Sequence, residues 1–192
     1  ANNPLLREEP GNVLEAILVA AETIDGFGDE EVKGNLLTLL MAGEDTTAHT
    51  LAWTITELAQ NPVSVKSLQA EVDEILGDNL LFQEYEDHNR LKFTEAVANE
   101  TMRLKPVAPI VLNEPAENIE VDGYLFEKGH RLVIQTRIGA INDAYFTNAK
   151  EFNPNRWIAE SRCPMHNTDA FMPFGAGPRF CPGRNLALLE MK

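Results

Sequence analysis

The stretch FGAGPRFCPGRN, Phe174 to Asn185, sets one cysteine among three glycines, two prolines and two arginines. Cys181 is one of only two cysteines in 192 residues, the other being Cys163. By itself it has ordinary readings, a small core residue or half of a disulfide with Cys163, which the spacing permits. Zinc has no support, because there is no CxxC pair and His49, His88, His130 and His166 are scattered. A nucleophilic cysteine would want a histidine base, and none is near in sequence. The flanking residues favour something else. Arg179, Arg184 and a helix expected to begin at Pro182 all stabilise a thiolate. Gly177 and Gly183 allow a flat or bulky group close to the backbone. A thiolate bound to a metal cofactor fits this setting best, with the arginines pairing to carboxylates on that cofactor.

The chain around this stretch is acidic, with a formal net charge of −14. That balance argues against nucleic acid and against an anionic membrane surface as partners. The charge is uneven. Residues 1–130 carry 25 acids and 8 bases, whereas residues 131–192 carry 5 acids and 8 bases, so the cysteine segment is locally positive. No apolar run is long enough to span a bilayer, the best being Leu36–Ala42 and Val13–Ala21. No secretory leader is visible, and two cysteines suit a reducing compartment, so a cytoplasmic location is expected. The chain begins with Ala and stops at Met191–Lys192 inside an expected helix, which predicts a fragment that could have lost a membrane anchor.

Patterning predicts a mainly α chain with small sheets or hairpins. Val13–Thr23 reads as an amphipathic helix, and Gly26, Gly28 and Asp29 break the pattern after it. A long helix is expected from about 30 to 61, with apolar residues on more than one face, as in a helix that crosses an interior. Asn61 and Pro62 mark the start of the next helix and Gly77 its stop. Helix again fits 93–104, before Pro106 and Pro109. Ile119–Leu125 reads as a hairpin around Asp122-Gly123, and Arg131–Thr136 as a strand. Residues 142–179 show no period, and a long irregular segment in a compact domain is usually functional.

Two further constellations carry chemistry. Ala42-Gly43-Glu44-Asp45-Thr46-Thr47 weakens the middle of the longest helix, since Gly costs about 1 kcal/mol there. A threonine hydroxyl bonding back to the carbonyl a turn earlier would bend it further. A kinked helix with a solvated stripe is the ordinary reading. The functional one is a proton-delivery pair, Asp45 as relay and Thr46 as hydroxyl donor. In the second, Glu100 and Arg103 stand at i, i+3 on one helical face. Exposed, such a pair contributes about 0.2–0.5 kcal/mol. Buried, it needs further partners, and Arg156 in Pro154-Asn155-Arg156-Trp157 is the candidate third member.

Together these strings resemble the cytochrome P-450 superfamily. Phe174-x-x-Gly177-x-Arg179-x-Cys181-x-Gly183 looks like its haem-binding signature, and Ala42-Gly43-x-Asp45-Thr46-Thr47 like its oxygen-activating helix. Glu100-x-x-Arg103 and Pro154-x-Arg156-Trp157 resemble its second and third signatures, and all four come in the family's order. The resemblance implies a mainly α fold with small sheets, present here as one partial catalytic domain over residues 1–192. It implies Cys181 as the axial thiolate ligand of haem b. Phe174, Gly175, Gly177, Arg179 and Gly183 would shape the cofactor cradle from the cysteine side, and Ala42 and Gly43 from the long helix. Asp45 and Thr46 would assist protonation of dioxygen. Glu100, Arg103 and Arg156 would form a buried structural triad, and Val107, Ala108, Ile110 and Val111 would line an apolar substrate's pocket.

The implied activity is a monooxygenase taking electrons from NAD(P)H through a redox partner, either a flavin reductase or an iron–sulfur ferredoxin. The alternatives are a haem-thiolate isomerase, dehydratase or peroxygenase, and a non-catalytic partial domain or redox-sensing cysteine protein. The chain departs from the family in two places. Ile141-Asn142-Asp143-Ala144 stands where members often have His-Arg-Asp-Pro, and no basic residue lies at Asn113. Members also run to more than twice this length, so the isolated chain is expected to be inactive.

Overall fold

Turn chemistry decides where most helices begin. The computed structural model describes residues 10–79, 81–158 and 168–192. It divides into two compact units, residues 1–46 and 47–192, with the boundary inside one long helix. The expected mainly α architecture with small sheets is what forms.

In the first unit, α1 spans Val13–Thr23. Asn12 caps it by accepting from the Glu15 amide at 3.0 Å, and the Glu15 carboxylate accepts from the Gly11 amide at 2.7 Å. The chain turns at Gly26, whose φ of +78° lies in the left-handed region. It then enters α2, Asp29–Gln60, where the Glu31 carboxylate accepts from the Gly28 amide at 2.9 Å. The helix continues unbroken through Gly43 and Thr46 to the boundary.

α2 does not run buried through an interior, contrary to the expectation. Val32, Thr47 and Thr50 are buried, while Leu37, Leu40, Met41 and Ile55 are 59%, 70%, 68% and 68% exposed. Its apolar residues fall on more than one face of the helix, so they form no single stripe to bury.

In the second unit, α3 spans Pro62–Leu76 and ends at Gly77 with φ +57°. Asn61 holds the N-cap position, but its side chain does not cap. The side-chain amide instead donates back to the Glu57 carbonyl at 2.8 Å. α4, Lys92–Leu104, starts without a capping side chain of its own. Glu71 of α3 supplies the cap, accepting from the Phe93 and Thr94 amides at 2.6 and 2.8 Å and from the Thr94 hydroxyl at 2.8 Å.

The core lies along α4. Ala96, Val97, Ala98, Met102 and Leu104 are buried there, as are Leu91, Ala140, Phe146 and Ala149. Two antiparallel ribbons flank it. β1 (Ile110–Asn113) pairs with β4 (Leu132–Gln135) in the register Val111 to Ile134, and β2 (Ile119–Val121) pairs with β3 (Tyr124–Phe126). The β2–β3 turn places Asp122 and Gly123 at φ +51° and +80°, the pattern of a tight two-residue hairpin. Ile110 and Val111 are good strand formers, but nothing local shows that β1 pairs with β4, because its partner lies some twenty residues on. A short α5, Thr136–Ala140, follows β4.

The last helix, α6, spans Arg184–Glu190, so Pro182 precedes it in a turn rather than opening it. The side chain of Lys192 beyond it is nearly buried, its ammonium donating to the Glu95 carboxylate at 2.5 Å and the His88 carbonyl at 3.1 Å. That contact ties the chain after the cysteine to α4.

Candidate functional site

Glu100 is the centre of the buried polar network, with no exposed surface. Its position on the inward face of α4 brings it to two arginines. Arg103 engages it bidentately, Nε to Oε2 and Nη2 to Oε1, both at 2.8 Å. Arg156, from a 3-10 turn over Pro154–Trp157, donates Nε to Oε1 at 2.9 Å. The Asn153 amide and the Trp157 indole N–H complete the set, each at 2.9 Å. The structure thus gathers Glu100, Arg103 and Arg156 into one cluster.

Two guanidiniums against one carboxylate leave surplus positive charge, and main-chain carbonyls absorb it. Arg103 Nη1 donates to Ala140 and Ala149 at 2.6 and 2.5 Å, and Nη2 to Glu151 at 3.1 Å. Arg156 donates to the carbonyls of Thr147, Asn148 and Glu151 at 3.0, 3.3 and 3.4 Å. The irregular segment from 142 onward is therefore a carbonyl cage. Asp143, within the departure from the family pattern, accepts from the Ala149 amide at 2.8 Å and helps shape that cage.

Burial pushes the Glu100 carboxyl upward, but the hydrogen bond and charge of Arg103 oppose it. With the Asn153 N–H and the charge of Arg156 added, the net displacement is below the ordinary carboxylate value.

The cysteine loop is closed by its own backbone, the Cys181 amide donating to the Phe174 carbonyl at 2.8 Å. Gly175 and Gly177 take φ of +72° and +68°, so both glycines are required by the turn as well as by any close approach. A Cβ on Gly183 would meet the Cys181 sulfur at 3.8 Å, an ordinary contact. Cys181 is a free, half-buried thiol, and Cys163 lies outside the described residues. Phe174 is half-buried, whereas Arg179 and Arg184 are exposed.

Among the described residues no group of three His, Cys, Asp or Glu side chains could hold a metal ion. One thiol donor suits a metal that arrives with its other ligands already in a macrocycle. Arg179 and Arg184, without ion pairs among the described residues, are left for anionic groups on such a cofactor. The residues present fit a haem.

The other expected residues stand as follows. Ala42, Gly43, Asp45 and Thr46 lie exposed on one turn of α2 at the end of the first unit. The Thr46 hydroxyl donates to the Ala42 carbonyl at 2.6 Å. Thr38, Thr54 and Thr56 make the same bond, each at 2.8 Å, so it is the helix's default for threonine. In the second unit, Val107, Ala108 and Ile110 are exposed before and at the start of β1, and Val111 is half-buried. Trp157 was missed as a Glu100 partner, although a tryptophan beside Arg156 was the available signal.

A family model described as Cytochrome P450 matches residues 4–192. The chain belongs to the cytochrome P450 family. Among curated relatives, Cytochrome P450 71B16 of Arabidopsis thaliana is 36% identical over 160 residues, covering 83% of this chain and 32% of that one. Beta-amyrin 11-oxidase of Glycyrrhiza uralensis is 35% identical over 168 residues, 85% of this chain and 33% of the relative. Among solved structures, a zebra fish cytochrome P450 with progesterone superposes with a TM-score of 0.85 at 30% identity, covering 96% of this chain and 43% of that one. The heme domain of cytochrome P450DA gives 0.77 at 30% identity, over 85% and 36% of the two chains. This P450 chain spans about a third of the length of the curated relatives it matches. Its fold and its four motifs agree with that membership. No helix among the described residues is long and apolar enough to cross a membrane.

Proposed function

We propose that the protein containing this chain is a haem-thiolate monooxygenase acting on an apolar organic substrate, and that residues 1–192 are part of one catalytic domain. The carrying observation is the free Cys181 in a backbone-closed loop between Arg179 and Arg184, which have no ion pair among the described residues, within a P450 chain. Haem bound there supplies dioxygen chemistry: with two electrons and two protons, one oxygen atom enters the substrate and the other leaves as water.

The chain's own residues have distinct tasks. Cys181 would hold the haem iron through its sulfur, and the Cys181 amide bonded to the Phe174 carbonyl fixes the loop that presents it. Arg179 and Arg184 supply positive charge for the carboxylates of the cofactor. Glu100, Arg103 and Arg156 hold the elements around the loop and touch no substrate. Thr46 delivers a proton once its hydroxyl leaves the Ala42 carbonyl, and Asp45 relays the replacement from solvent. Val107, Ala108, Ile110 and Val111 offer apolar contacts to substrate. The locally positive cysteine segment steers an acidic redox partner, a flavin reductase or a ferredoxin carrying electrons from NAD(P)H.

The test is the absorbance of the full-length protein, reduced and bound to carbon monoxide. A thiolate-type Soret band is expected, and its loss in Cys181→Ala. No such band in the unmodified protein overturns the proposal. Thr46→Ala is expected to lower the product formed per electron pair consumed, and unchanged coupling would remove Thr46 from its role.

A further inference from the structure

Trp157 joins two parts of the second unit that otherwise have separate tasks. Its indole N–H donates to Glu100 Oε2 at 2.9 Å. Its ring packs on Phe146, with centroids 6.4 Å apart at 45°, and on Phe171, 4.6 Å apart at 49°. Phe146 is fully buried and lies 5.2 Å beneath the Arg103 guanidinium, so the ring's inner side is held by the same cluster as its N–H. Phe171 stands three residues before Phe174. Between them the Met172 carbonyl accepts from Gly175 at 3.2 Å, and Phe174 then receives the Cys181 amide. A continuous chain of contacts thus runs from the Glu100 carboxylate through the indole to the strand of backbone that closes on Cys181.

We propose that Trp157 is a positioning residue: its N–H bond to Glu100 sets the tilt of its ring, and the ring holds Phe171 and hence the entry to the cysteine loop. A phenylalanine there would keep the stacking surface but lose the bond that fixes it. Stacking alone tolerates rocking, because tilted aromatic pairs have broad preferred geometry. A hydrogen bond to a charged acceptor is directional and stronger than one between neutral groups. The inference rests on the proposed function only in taking Cys181 as the cofactor's ligand.

The experiment uses the full-length, haem-loaded protein with Trp157→Phe, Phe171→Leu and, as a control for general loss of buried packing, Leu91→Ala. Two quantities are read: amide hydrogen exchange in the peptide 172–181 relative to global unfolding, and the rate at which the carbon monoxide complex passes from thiolate-type to thiol-type absorption. Trp157→Phe is expected to raise both about tenfold, the loss of one charge-assisted bond. Phe171→Leu is expected to raise both while exchange near Glu100 in α4 stays as in the unmodified protein. Leu91→Ala is expected to leave the relative exchange of 172–181 unchanged.

Unaltered loop exchange in Trp157→Phe, or a rise no greater than in Leu91→Ala, overturns the proposal. If Trp157→Phe does not accumulate, unaltered loop exchange in Phe171→Leu overturns it equally. A full-length protein lacking thiolate-type absorption would sink the monooxygenase reading, while the exchange comparison would still decide the role of Trp157.

Discussion

Glu100 faces Arg103 and Arg156 with one negative charge, and all three are at most 5% exposed. Converting it to Gln would leave two buried guanidiniums with only carbonyl dipoles, and would turn an N–H toward a group that has no acceptor. Removing one partner of a buried ion pair costs about 3–5 kcal/mol, and Glu100→Gln is expected to fall in that range by urea unfolding of the full-length protein. Loss of less than about 1 kcal/mol would mean that the carbonyls alone neutralise the arginines. The pH dependence follows from the same cluster. The Glu100 carboxyl is held below its ordinary value of 4.5 in the fold. Its contribution is complete above about the ordinary value and is lost as pH falls through the lower folded one. The unmodified protein should therefore lose stability below pH 4.5, with a shallower decline in Glu100→Gln, as equilibrium unfolding across that range would reveal.

At the scale of elements, α4 depends on a neighbour for its first turn. Three hydrogen bonds from Phe93 and Thr94 end on Glu71, and a carboxylate at that place also complements the helix dipole. Glu71→Ala is expected to lower stability by about 2 kcal/mol and to speed exchange of the Phe93 and Thr94 amides. Exchange unaffected at those two amides would show that the cap is replaceable by water. The start and stop of α3 and the stop of α4 were legible because Pro62, Gly77 and Pro106 act locally. The Glu71 cap was not, since its partners are 22 and 23 residues away and any exposed glutamate looks alike in sequence. The pairing of β1 with β4 escaped for the same reason. Arg156 was legible as a candidate partner of Glu100. The carbonyls of Ala140, Thr147, Asn148, Ala149 and Glu151 were not, because every residue type has that group. Cys181 stood out because its neighbours were unusual in kind, which local reading detects well.

For the molecule as a whole, net charge and exposed apolar surface oppose each other. Leu37, Leu40 and Met41 lie at i, i+3 and i+4 on α2 and are more than half exposed, in a chain of net charge −14. Self-repulsion keeps such chains apart at low salt, and at about 0.15 M the screening length falls to roughly 8 Å. The 192-residue chain in isolation is expected to self-associate as salt is raised, and Leu40→Lys with Met41→Glu to suppress this in sedimentation velocity. Salt-independent behaviour would dismiss that stripe as the cause. A different consequence belongs to the cage around Arg103 and Arg156. Because its acceptors are peptide carbonyls, the exposed Thr147, Lys150 and Glu151 can change their side chains and still build it. Ala149, fully buried, has no room for a larger side chain, and Asn148, at φ +49°, sits where few residue types settle. A single deletion would move several acceptors at once, so the cage constrains the length of this segment more than most of its letters.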